Sequence, residues 1–170
     1  LAPGVALGET SGVGVDSHGD VLVFHRCERK WTTPFPTEPI DAATVSIIDV
    51  AQRKVLKELP LPNGSTLLRD LRIAPDGRYA VVAHTLARYQ LPTTQIERGW
   101  INSNAGSLID LAELKLLNTV LFDNIDSGAA IPWAVGWTRD SRQLLVTHAG
   151  THELSVVDFP ALLAKLAKMP

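Results

Sequence analysis

The sequence predicts an all-β chain made of about three copies of a four-stranded antiparallel unit, ending in a short helix. Three observations carry that prediction. A pair of apolar strands around a polar turn occurs three times, a third strand of one pattern follows each pair, and the copies keep a near-constant spacing.

The paired strands come first in each unit. They meet at Asp16 to Gly19, at Pro75 to Gly77 and at Arg139 to Ser141, where Asp, Gly and Ser supply the turn chemistry. The strand after each turn is Val21 to His25, Ala80 to His84 or Leu144 to His148, β-branched and apolar until it closes on a histidine. After a connection of variable length come Ser46-Ile-Ile-Asp49, Ser107-Leu-Ile-Asp110 and Ser155-Val-Val-Asp158, each a strand entering an aspartate turn. Lys54 to Pro60 and Lys115 to Leu121 give the first two units a fourth strand. In the third unit that place is taken by good helix formers between Pro160 and Pro170, which predicts a helix over residues 160–168.

His25 and His84 stand 59 residues apart, His84 and His148 64, and Asp49 and Asp110 61. A four-stranded unit repeating on this scale is how a β-propeller is written. The chain therefore reads as a single β-propeller segment with blades over residues 12–60, 67–121 and 133–158. Strands this short, and apolar on both faces, need neighbouring blades to bury them. A closed ring takes about 4 to 8 blades. Three leave two open faces, and further blades or an oligomer partner are expected to cover them.

Composition narrows the partners. With 16 Lys and Arg against 18 Asp and Glu in 170 residues, the net charge of -2 carries no footprint for nucleic acid or an anionic membrane. A chain that is 45% hydrophobic and 20% charged has material for an ordered core. No apolar run approaches the roughly 20 residues of a membrane helix, and residues 1–8 lack the basic start and apolar stretch of a signal peptide. Neither membrane insertion nor an export signal is expected within this chain. The single cysteine, Cys27, has no partner for an internal disulfide and leaves the compartment open.

Ile73-Ala-Pro-Asp-Gly-Arg-Tyr-Ala-Val-Val-Ala83 and Leu144 to Asp158 resemble the YVTN-type propeller repeat, with His148 where that family places asparagine. The resemblance implies a periplasmic or extracellular protein with no single activity, in some cases accompanied by haem domains in a redox assembly. The chain has no Cys-x-x-Cys-His motif for covalent haem attachment. Leu7 to Arg26, continuing to Trp31, is similar instead to the NHL repeat of peptidylamidoglycolate lyase, a zinc-dependent propeller enzyme. That resemblance implies an active-site role for Arg26.

In an up-and-down meander alternate connections fall at opposite ends of the sheet. The long ones, residues 26–43, 85–105, 61–66 and 123–132, therefore share one end, and long loops on a rigid scaffold are where binding concentrates. Arg26 in the first loop, and Arg88, Arg98 and Trp100 in the longest, are the candidate ligand-binding residues. A planar guanidinium takes carboxylates by paired bonds, and an aromatic ring gives a loop a contact surface. The competing reading has these rings pack the loop down while its charges stay solvated. His25, His84 and His148 begin the same end, and three neutral imidazoles converging would hold zinc or copper. Otherwise each pins the start of its loop to a backbone group. Trp133 and Trp137 share one strand face and are expected to fill the space between blades.

No nucleophile elbow, phosphate-binding loop or dinucleotide fingerprint occurs. The leading expectation is a non-catalytic binding or scaffold module whose long-loop face engages a protein or small-molecule ligand. The alternatives are a metal-dependent propeller lyase using Arg26 and the histidines, or a structural subunit of a larger redox assembly.

Overall fold

Apolar residues alternating with period two build the strands, and apolar residues on both alternations mark the strands buried on both faces. The computed structural model describes residues 9–26, 43–87, 102–124 and 127–169. The first sheet is β1 (Glu9–Val15), β2 (Val21–Arg26), β3 (Thr44–Asp49) and β4 (Lys54–Pro60), joined in chain order. The second is β5 (Ser65–Ile73), β6 (Tyr79–Ala87), β7 (Asn102–Asp110) and β8 (Lys115–Leu121), again in chain order. The third holds β9 (Pro132–Trp137), β10 (Gln143–His148) and β11 (Glu153–Asp158), and its chain then turns into helix α1 (Phe159–Leu166). All pairings are antiparallel.

The sheets stack face to face as the blades of a β-propeller segment. β1 lies beside β5 and β5 beside β9, so the first strand of each sheet is its inner one. Two cores fill the gaps between blades. Leu22, Phe24, Val45 and Ile47 of the first sheet meet Leu71, Ala80, Val82 and Ile109 of the second. On the other side of the second sheet, Val81, Ala83 and Leu108 meet Val135, Leu144 and Val146 of the third. The middle sheet is apolar both ways because both of its faces are covered.

The repeated aspartates do one job in two settings. Asp49 Oδ1 accepts from the amide of Gln52 at 2.7 Å, and Asp110 Oδ1 from those of Ala112 and Glu113. Each opens a four-residue reversal completed by Arg53 or Leu114 at positive φ. Asp158 Oδ1 accepts from the amide of Ala161 at 2.9 Å, the same three-residue reach, but Pro160 and the helix formers behind it carry the chain on as α1. Phe159 is buried edge-on against Trp137 and Tyr79, at 4.7 and 5.2 Å between ring centres. Leu162, Leu163 and Leu166 lie on the second core beside it.

One expectation of side-chain placement is corrected here. Trp137 packs between blades and its Nε1 donates to the carbonyl of Arg72. Trp133 does not, and is 54% exposed, because β9 bulges at that residue: Pro132 pairs with His148 and Ala134 with Thr147, leaving Trp133 unpaired.

Candidate functional site: the histidine level of the blades

The three histidines occupy one position in three blades. Each is buried near the end of the second strand, and its Nε2 lies 2.8 Å from a serine hydroxyl on the third: His25 with Ser46, His84 with Ser107, His148 with Ser155. The register repeats as well. Ser46 pairs with Val23, Ser107 with Val82 and Ser155 with Val146, in each case two residues before the histidine. The side chains therefore meet on the strand diagonal.

The other ring nitrogen sets the direction of these bonds. His148 Nδ1 donates to the carbonyl of Ala129 at 2.9 Å, so its Nε2 is the acceptor and the Ser155 hydroxyl donates to it. His84 Nδ1 reaches the carbonyl of Thr85 at 3.2 Å, and the Ser107 oxygen in turn accepts from Thr119, at 2.7 Å. That makes a polar line across β6, β7 and β8. His25 Nδ1 is buried without a hydrogen-bond partner among the described residues. Burial holds the imidazole pKa of His84 below its usual value, with the Thr85 carbonyl opposing. It does the same at His25, where Glu58 opposes.

A serine hydroxyl 2.8 Å from an imidazole is also the spacing of a nucleophile and its base. Here the pair is a property of the blade. Ser46, Ser107 and His84 have no exposed surface and His148 has 2%, and the arrangement occurs in every sheet. The histidines do not come together. His84 points toward the first sheet and His148 toward the second, where Phe122 meets it edge-on at 5.6 Å. Among the described residues no three His, Cys, Asp or Glu side chains are grouped to hold a metal. Sequence reading found the histidines and the serines separately but not their pairing, which needs the strand register; the constant serine three residues before each aspartate was the available signal.

Around this level the long connection between β8 and β9 is held by a clasp. Asp123 accepts from the backbone and side-chain nitrogens of Asn104 at 2.6 and 2.9 Å, and from the amide of Ala129 at 2.7 Å. The Asn104 side-chain oxygen accepts from the amide of Ile131. His148 is thus tied through Ala129 to the connection that leads into its own blade. Arg26 ends β2 opposite Glu9. Arg88, Arg98 and Trp100 lie outside the described residues.

No protein-family model matches the chain. Among curated proteins, the beta subunit of hydrazine synthase from Kuenenia stuttgartiensis is 23% identical over 120 residues, 71% of this chain and 31% of that protein. The chain thus spans about a third of the length of the relative it matches. Among solved structures, a chain of Kuenenia stuttgartiensis hydrazine synthase superposes with a TM-score of 0.76 at 20% identity, over 93% of this chain and 42% of that one. A 6-phosphogluconolactonase-like protein of Bacteroides fragilis superposes with a TM-score of 0.57 at 14% identity, over 91% of this chain and 36% of that one. These likenesses show a shared propeller fold.

Proposed function

We propose that the chain is a propeller segment of a structural subunit in a larger redox assembly. The observation that carries this reading is the likeness over 93% of the chain to hydrazine synthase, whose curated relative is named as a subunit. The outer faces of the blade stack support it. That of the third sheet exposes Leu154 and Val156 at 56% and 54%, and that of the first exposes Val13 and Val15 of β1 at 59% and 60%, while Val23 and Ile48 of the same face are buried. By the repeat, these are the faces on which a further blade or a partner sits. A periplasmic or extracellular address belongs to the same reading, as do the YVTN-type repeats. Structural and binding roles are compatible in one propeller, because blade faces hold neighbours while the loop end takes ligands.

The test is the composition of the native protein. Purified from its source without a tag and weighed by light scattering, it is expected to travel with at least one other polypeptide in a fixed ratio. A protein that runs alone as a monomer at every concentration tested overturns the reading.

A further inference from the structure

The inner strand of every sheet is distorted at the level of its histidine. In β1, Thr10 pairs with His25 and Gly12 with Phe24, so the ladder skips Ser11. In β5, Thr66 pairs with Thr85 and Asp70 with Ala83, which sets Leu67, Leu68 and Arg69 opposite His84 alone. In β9 the residue skipped is Trp133. A bulge opposite a fixed position in each repeat re-aims side chains that a regular ladder would hold against a neighbouring sheet, and such bulges gather beside functional sites.

In the second and third blades the re-aimed residues meet. The Arg69 guanidinium lies over the Trp133 ring, 4.8 Å from its centre, with both side chains exposed. Both belong to inner strands, Arg69 in the middle of β5 and Trp133 near the entry end of β9. The backbone just before each is forced: Leu67 has φ 45° and the β-branched Ile131 φ 57°, a conformation costly for such residues. Ile131 is held in it by the Asn104 side chain and by the amide of Ala149, which donates to its carbonyl at 2.9 Å. Among the described residues the Arg69 nitrogens make no ion pair or hydrogen bond. The neighbouring Asp70 does not neutralise Arg69, since its oxygens take Arg72 and the amides of Leu71 and Val135.

We propose that Arg69 and Trp133 form a binding site for a carboxylate carried next to an apolar group. The Trp133 ring holds the guanidinium against itself, and the N–H donors of Arg69 are left for the two oxygens of the ligand. Trp133 supplies the apolar surface, and Leu67 and Ile131, each two residues before one of the pair, are exposed as well. Two sources carry this chemistry: a free organic acid, or an acidic side chain flanked by apolar residues on a partner protein. The site does not depend on the assembly reading.

The experiment titrates the native protein with phenylacetate, with its neutral counterpart phenylacetamide, and with a capped pentapeptide alternating leucine and glutamate. Binding is followed by tryptophan fluorescence and calorimetry. Saturable binding of at least one acid is expected, with about tenfold or greater preference for phenylacetate over phenylacetamide where phenylacetate binds. A loss of about tenfold or more is expected in Arg69→Gln and in Trp133→Leu. Both positions are exposed, so the variants keep the fold, which circular dichroism checks. Tighter binding of the pentapeptide than of phenylacetate assigns the site to a protein partner, and the reverse order assigns it to a free acid. Equal binding of acid and amide, unchanged affinity in both variants, or no saturation with either acid overturns the proposal.

Discussion

His84 shows how one side chain couples the blade to pH. Its neutral imidazole is tied to Ser107 in a site without exposed surface, and burial holds its pKa below the usual 6.5. Between that lowered value and 6.5 the unfolded chain binds the proton and the folded one does not, so stability rises with pH across the window. The contribution is complete above about pH 7 and is lost as acid drives the pH down through the folded value. His25 adds a second contribution of the same sign. Thermal melts between pH 5 and 8 are expected to show a falling melting temperature below about pH 6.5, with a slope of at most about 1.4 kcal/mol per pH unit for each histidine. The variant His84→Gln is expected to flatten that slope, and an unchanged slope would show that His84 does not carry it. Ser107→Ala leaves the His84 ring nitrogen and Thr119 short of a partner and is expected to cost about 1–2 kcal/mol in denaturant unfolding.

At the scale of the element, the aspartate that ends each third strand starts a turn, and the residues behind it decide what the turn becomes. After Asp49 and Asp110 a residue at positive φ reverses the chain into β4 or β8. After Asp158, Pro160 and the alanine and leucine run propagate a helix, which lays Phe159 against Trp137 and Tyr79. Asp158→Ala removes the cap and is expected to lower stability by about 1 kcal/mol, read by urea unfolding. Asp49→Ala is expected to lengthen or loosen the β3–β4 reversal without touching α1. This part of the fold was legible in the sequence, because turn residues, prolines and apolar alternation are local signals. The bulges were not, since a skipped residue shows only when its partner strand is known. Trp133 fits the alternation of its strand on paper and departs from it in space.

At the scale of the molecule, the described residues form a stack of three sheets with two cores between them, and apolar side chains of β1 and β11 are exposed on its outer faces. An exposed valine in a free surface tolerates a charge to within about 0.5 kcal/mol, whereas one covered by another blade costs about 2 kcal/mol or more when replaced by lysine. Val156→Lys in the native protein is therefore expected to lower the melting temperature by several degrees and to weaken assembly. Lys165→Glu, on α1 and exposed, is expected to leave both unchanged. A melting temperature unmoved by Val156→Lys would mean that nothing sits on that face.

The number of described blades, the order of strands, the aspartate turns and the terminal helix are legible from residue order alone, because each is written in spacing, alternation and residue type along a few neighbouring positions. That each histidine bonds a serine of its own sheet instead of converging on its counterparts, and that Arg69 and Trp133, 64 residues apart in the chain, lie one over the other, emerges from the folded sheets. Register accounts for the difference. Which side chains meet across strands and blades depends on pairings and bulges fixed by the packing of whole sheets, and a single sequence does not carry that information at any one position.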